Sequence, residues 1–456
     1  MKNKLLGIFV AFTLVVTSSI YPVNYADAQG RRGISLIRDA EIEALLRDYA
    51  RPIFKAAGLR RGAVEIFIVN NQQFNAFVLG RRLFINSGAL LEAESPNEII
   101  GVIAHEVGHI VGGHQERMAD QLRTAKYIAG FATLLGVGVI AAGAASGNRQ
   151  VTGAGSGILL GGPTLAIRGL LSYQRGEEAA ADRAALKYLA RSGQSARGLL
   201  KTFEGFAENL ALQGGRINPY MQSHPMPRER ITSLRNAVKK SKFYSRKDKK
   251  FLQERHDLIR AKIAAYLGGR RNLAGLLRQK HFSSLAREYG ETIGLHLYGS
   301  PRQAIPKIDK LIKKRPKNAY FHEMKGEILL RSGKPALAVA PFRRAVKYDG
   351  GRSGFLRIEL GQALLTSGKK KNLKEAVSQL RKGLSRDPTL IAGHRYLAQA
   401  YARTGNTPRA LLASAEENFW SGKIRLAKNF ANRAQLKLKR GSPGWLRAQD
   451  IIAYKK

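Results

Sequence analysis

A repeat in the second half of the chain constrains the fold more than any other feature. In one copy Gly326, Gly333, Ala338, Phe342 and Ala345 follow one another at steps of 7, 5, 4 and 3 residues. Gly361 and Gly368 renew the seven-residue step. An insertion of three residues near Lys369-Lys370-Lys371 then precedes Ala376, Leu380, Gly383 and Pro388. Ala398, Tyr401, Gly405 and Ala410 fit the same frame, and Gly299, Ala304, Ile308, Leu311 and Pro316 form a degenerate copy upstream. A period of about 34 residues predicts helix pairs, each brought close by small residues and each burying its free face on the next pair. The array is expected over 285–456, with Arg425 to Tyr454 as its cap. Such arrays present a concave groove, so this half is expected to recruit partners or substrates.

The other end of the chain differs in kind. Lys2 and Lys4 precede the apolar run Leu5 to Val16, and Ala26-Asp27-Ala28 offers small residues at the spacing of a cleavage site. This predicts a cleavable secretory signal over 1–28 and export, with a retained membrane anchor as the alternative. The chain has no cysteine, so an exported fold must be held by its cores or by a metal. The net charge of +44 comes from Lys and Arg scattered along the whole sequence, with no clustered arm or recognition motif. That excludes a specific nucleic-acid reading and favours anionic membrane surfaces, cell-wall polymers or acidic partners.

Between these ends, apolar residues at helical spacing from Ile37 to Tyr49 predict a helix. Val64 to Val69 reads as a strand. Asn75 to Ile85, broken at Gly80-Arg81, reads as a hairpin. Ser95, Pro96 and Glu98 carry a helix-start signature, placing a helix over about 96–111. The segment 128–145 is uncharged and almost continuously apolar. It suits a buried or membrane-touching element, a membrane span or a flap. Helices are expected over 170–190 and 195–212, followed by a loop holding His224-Pro225. A polar bridging helix is expected over 248–267, and a linker between the domains over 251–284.

Chemistry concentrates on His105-Glu106-Val107-Gly108-His109. Four residues make one helical turn plus about 40°, so both imidazoles share a face and can bind one zinc ion, with Glu106 placed to activate a water. A third ligand is needed. His114 would sit roughly 180° from His105 if the helix continued, so it is not expected to serve. Glu178 is the better candidate. Asp182 lies one turn on and could accept a hydrogen bond from a ligand imidazole, while Glu177 competes with Glu178.

The segment from about 64 to 240 resembles the M48 family of zinc metallopeptidases, in particular its periplasmic, BepA-like branch with C-terminal repeats. The matching pieces are Asn75-Ala76-Phe77, Asn97-Glu98 ahead of the histidine pair, Glu178 to Arg183, and His224-Pro225, in the family's order. The repeats from 285 to 422 resemble tetratricopeptide repeats. The M48 resemblance implies one zinc ion per chain, held by His105, His109 and Glu178 and oriented by Asp182. It also implies that His224 approaches the zinc as a further, restraining ligand, and it favours a non-spanning 128–145. Arg230, just beyond His224, is a candidate to stabilise the oxyanion.

The expected fold is α+β but mainly α: a zincin-like metallopeptidase domain over 29–250, then a tetratricopeptide-like array over 285–456. The expected activity is hydrolysis of internal peptide bonds in misfolded or stalled exported and outer-membrane proteins. Glu106 would act as general base, and the strand at Asn75, Ala76 and Phe77 would grip substrate backbone. Outer-membrane assembly machinery and a peripheral membrane association are the implied partners. Two rivals stand beside this reading: a chaperone or assembly factor with a rarely used metal site, and a protease anchored through 128–145.

Overall fold

The computed structural model describes residues 21–24, 34–145, 149–212, 219–280 and 282–455. The proposed export signal falls almost entirely outside them. The chain divides into two compact units, one over Glu41–Arg287 and the other over Glu288–Lys456 together with the residues up to Ala40.

In the second unit, β1 (Tyr21–Asn24) and β2 (Ser35–Arg38) pair antiparallel. The repeats form helix pairs: α13 (Ala319–Arg331) with α14 (Pro335–Tyr348), α15 (Gly354–Thr366) with α16 (Leu373–Arg386), and α17 (Ile391–Arg403) with α18 (Thr407–Trp420). The glycine step has a direct cause. A Cβ on Gly326 would meet the Phe342 ring at 2.6 Å, and one on Gly361 would meet Leu380 at 2.5 Å. Each glycine therefore lets the first helix of a pair seat the large side chain of the second. The three inserted residues form a single 3-10 turn, Lys370–Asn372, outside the packing face. Pairs begin on sequence signals: Asn318 and Ser353 accept hydrogen bonds from the first helical N–H groups, and Pro335 opens α14. The upstream copy is α11 (Ser284–Tyr298) and α12 (Pro301–Lys314), and α19 (Ile424–Gln435) with α20 (Pro443–Ala453) closes the array over a small core that includes Ala427, Ala431 and Ile451.

In the first unit, α1 (Ala40–Ala56) precedes β3 (Glu65–Val69), β4 (Ala76–Leu79) and β5 (Arg82–Asn86). β5 lies between the other two, parallel to β3 and antiparallel to β4. The expected hairpin is present, turning at Gly80, whose φ of 58° lies in the left-handed region open to glycine. After α2 (Ser87–Glu92) comes α3 (Pro96–Gly112), then α4 (His114–Ala145), α5 (Arg149–Arg191), α6 (Arg197–Leu212), α7 (Pro219–Ser223), α8 (Arg228–Lys239), α9 (Lys250–Leu267) and α10 (Gly269–Leu277).

The apolar segment 128–145 is the second half of α4, which packs on α5 and exposes Tyr127, Phe131 and Leu134. Among the described residues no helix is long and apolar enough to cross a membrane.

Helix α9 differs from the polar bridge its sequence suggests: His256, Asp257, Arg260 and Lys262 are buried within this unit. Lys262 Nζ lies 3.4 Å from Glu41 Oε2, and the other side chains are hydrogen-bonded. His256 Nε2–H donates to Ala93 O at 2.8 Å, the Tyr49 hydroxyl donates to His256 Nδ1 at 3.1 Å, and Arg260 Nε donates to Leu91 O at 3.0 Å. Burial, opposed by the bond to Ala93, pushes the His256 pKa down to about 3.

Candidate metal centre

Helix α3 carries the histidine pair, and its start is set by the predicted signature. The Ser95 N–H donates to Glu98 Oε1 at 3.1 Å, with Pro96 in the first turn. Asn97 fixes the helix against α6: its side chain donates to Ser195 O at 2.8 Å and accepts from Gly198 N at 2.7 Å. Gly108 admits α5, because a Cβ there would lie 2.9 Å from Ala181 O and 3.0 Å from its Cα. Ala181 sits between Glu178 and Asp182, so this helix-to-helix contact delivers both carboxylates to the histidines.

Four donor residues converge: His105, His109, Glu178 and His224, all buried. His105 Nε2 lies 3.1 Å from His109 Nε2, 3.3 Å from Glu178 Oε2 and 3.4 Å from His224 Nδ1. Glu178 Oε1 lies 3.0 Å from His224 Nδ1 and 3.5 Å from His109 Nε2. A tetrahedral ion with ligands at about 2.0–2.1 Å holds them about 3.3 Å apart, so the donor set fits a single metal ion. Glu178, not Glu177, turns toward His105 and His109.

Around this set stands a second layer. Asp182 Oδ1 is 3.0 Å from His105 Nδ1. Arg230 donates through Nε to Asp182 Oδ2 at 2.6 Å and through Nη2 to Oδ1 at 2.9 Å, while Nη1 donates to Pro225 O at 2.9 Å and lies 2.8 Å from Glu178 Oε2. Its guanidinium also covers the Phe203 ring at 5.1 Å. Arg230, the candidate oxyanion stabiliser, is thus held by two carboxylates and a carbonyl. Glu106 is fully buried; its Oε1 is 3.4 Å from both the Tyr220 hydroxyl and His224 Nε2, and its Oε2 has no hydrogen-bond partner among the described residues.

The electrostatics match the layers. Burial opposes a charge on His105, but the bonds to Asp182 and Glu178 outweigh it and hold its pKa at about 9. Burial, then the neighbouring His105, pushes His109 down to about 2. Burial resists ionisation of Asp182, yet Arg230 and His105 hold its pKa at about 2, and His105 and His224 likewise keep Glu178 well below the usual range. Burial, the largest influence, raises Glu106.

Two further side chains stand beside the donor set. His114 is not carried to the far side of α3, because Gly113, at φ 65°, ends that helix. His114 Nδ1 instead lies 2.9 Å from His109 Nδ1. Tyr220, not singled out from sequence, packs its ring 4.6 Å from that of His224; the four-residue spacing to His224 is the signal that could have found it.

Strand β4, carrying Ala76 and Phe77, has β5 as its only strand neighbour among the described residues. Asn75 O accepts from Asn86 N at 2.9 Å. By antiparallel alternation, the main-chain groups of Ala76 and Val78 therefore point away from β5. The Gln115 amide takes Val78 O and Gly80 N.

Comparison with known proteins agrees with this geometry. The model of Peptidase family M48 matches residues 37–238, and a tetratricopeptide-repeat model matches 299–353. The chain is 26% identical over 452 residues to the beta-barrel assembly-enhancing protease of Yersinia pestis, covering 96% of this chain and 88% of that one. It is 23% identical over 453 residues to the protein of the same name from Escherichia coli K12, with the same coverage. A putative beta-barrel assembly-enhancing protease of Vibrio cholerae is 24% identical over 427 residues, covering 90% and 83%. Residues 37–238 of this chain thus match the M48 metallopeptidase family, and residues 299–353 match tetratricopeptide repeats.

Proposed function

We propose that the chain is a periplasmic zinc endopeptidase of outer-membrane protein quality control, binding one zinc ion through His105, His109 and Glu178. The observation that carries this reading is the convergence of four buried donor residues, His105, His109, Glu178 and His224, beside a buried Glu106. The names of the relatives point to β-barrel assembly as the setting, and the repeat array suits recruitment of unfolded barrels or of the assembly machinery.

When bound, zinc supplies a Lewis acid that polarises the scissile carbonyl and acidifies water. Glu106 takes the water's proton on its buried carboxylate and returns it to the departing amine nitrogen. Its raised pKa suits that exchange. Asp182, braced by Arg230, keeps the proton of His105 on Nδ1 and so presents Nε2 to the ion. The free edge of β4 receives substrate backbone at Ala76, which gives grip with little side-chain selectivity. His224 would hold the ion as a fourth ligand, in the position that a catalytic site otherwise leaves open, so the resting enzyme would be held off. That same residue favours a second role as an assembly factor while the site is closed. Peripheral membrane contact is assigned to the exposed apolar face of α4.

The test is the metal content of the purified protein, compared with Glu178→Ala, alongside cleavage of an unfolded outer-membrane β-barrel. One zinc per wild-type chain and its loss in E178A are expected. Stoichiometric zinc retained by E178A removes the assigned third ligand.

A further inference from the structure

Beyond the donor set lies a connected chain of side chains that leads outward from His109. The His109 Nδ1 atom faces His114 Nδ1 at 2.9 Å, with the two rings perpendicular and their centroids 4.8 Å apart. His114 Nε2 lies 2.9 Å from Glu177 Oε2, and the same oxygen accepts from Arg117 Nη2 at 2.7 Å. His114 is buried, at 6% exposure.

Hydrogen-bond bookkeeping leaves one arrangement of protons. If His109 Nε2 gives its lone pair to a metal, Nδ1 must carry the hydrogen and needs an acceptor. Among the described residues the nitrogen that faces it is His114 Nδ1, so His114 is neutral and its own hydrogen sits on Nε2. That hydrogen points at the Glu177 carboxylate, which Arg117 holds in place. Each donor then meets an acceptor, and no group between His109 and Arg117 is left to choose.

The backbone is shaped for this contact. A Cβ on Gly112 would lie 2.1 Å from His114 Nε2 and 2.3 Å from its Cδ2, so no side chain at 112 can coexist with the imidazole where it stands. Gly113 adopts φ 65°, turning the chain so that His114 returns over α3 rather than continuing along it. Two adjacent glycines thus perform different tasks for one histidine.

We propose that His114 is a positioning residue for the metal centre, fixing the tautomer and ring orientation of His109 through Nδ1, with Glu177 as its anchor. His105 is held through Nδ1 by Asp182, and His114 performs the matching task for the second histidine. The Asp182–Arg230 and Glu177–Arg117 pairs then stand behind the two ligand imidazoles, one carboxylate–arginine pair for each. This inference rests on the reading of His109 as a metal ligand.

The experiment measures zinc affinity of the full chain by competition with a chromophoric chelator, together with the melting temperature of the metal-free protein. His114→Ala is expected to weaken zinc binding about 10–100-fold, the usual effect of removing an outer partner of a ligand histidine. Gly112→Ala should weaken it too, by expelling the imidazole with every ligand intact. His114→Asn, which retains an acceptor near the Nδ1 position, should lie closer to wild type than H114A. Wild-type zinc affinity in H114A overturns the proposal, as does a fall in apo melting temperature with affinity unchanged, which marks a purely structural role. Wild-type affinity in His109→Ala overturns the reading beneath it and this inference with it.

Discussion

His224 Nδ1 stands 3.0 Å from Glu178 Oε1 and 3.4 Å from His105 Nε2, so a residue just past α7 completes a donor set that α3 and α5 begin. Bound as a fourth ligand, it would fill the position that a catalytic zinc keeps for water. On the proposed reading, alanine there would leave His105, His109 and Glu178 as ligands and reopen the site. His224→Ala is expected to raise cleavage of an unfolded β-barrel several-fold while zinc content stays at the wild-type level. Unchanged proteolysis with unchanged zinc would remove the idea of a closed resting state.

Glu106 has no route to metal binding in the observed geometry: its Oε1 lies near Tyr220 and His224, outside the four-donor set. Glu106→Gln preserves its shape and removes its capacity to take a proton. Cleavage is expected to fall by about 10²-fold or more, the usual scale of general acid–base catalysis, with zinc affinity near wild type. E106Q protein that still cleaves at the wild-type rate would show that the base lies elsewhere.

Part of this site can be read from spacing alone. His105 and His109 share a face because helix α3 is regular from Pro96 onward, and a four-residue step on a helix needs no tertiary information. Glu178 is different. Its approach depends on the contact of Gly108 with Ala181, which no local pattern reveals, so its assignment came through resemblance. The position of His114 depends on where α3 ends: Gly113 takes a left-handed φ of 65° and turns the chain, so a continued helical face does not locate it. In α9 the polar residues suggested a solvated bridge, but burial depends on whether partners exist, and Ala93, Leu91 and Tyr49 provide them from distant segments. The repeats were the most legible element, because there each packing contact recurs at a fixed interval.

Metal binding should release a proton. In the metal-free site the carboxylates of Asp182 and Glu178 overcome burial to hold the His105 pKa at about 9, whereas His109 is neutral well below pH 7. Below pH 9 the metal must therefore displace the His105 proton, and the apparent affinity rises with pH. Between pH 7 and pH 8 the gain is expected to be about tenfold, with about one proton released per ion from this group. Titration calorimetry in buffers of different ionisation enthalpy measures that number directly. No buffer dependence of the binding heat at pH 7 would mean that His105 is already neutral.

Gly108 offers a test of how the two helices assemble the site. Alanine at this position would place a methyl carbon 2.9 Å from Ala181 O and 3.0 Å from its Cα, both backbone atoms that cannot swing aside. The helices must separate, or α5 must slide. Either movement carries Glu178 and Asp182 away from His105, although no ligand has been altered. Overpacking of this kind costs about 1–3 kcal/mol, so Gly108→Ala should lower the melting temperature of the metal-free protein by several degrees. Zinc affinity should fall as well, because Glu178 sits one helical turn from the displaced contact. A variant that melts lower yet binds zinc with wild-type affinity would show that the carboxylates reach the histidines independently of this contact.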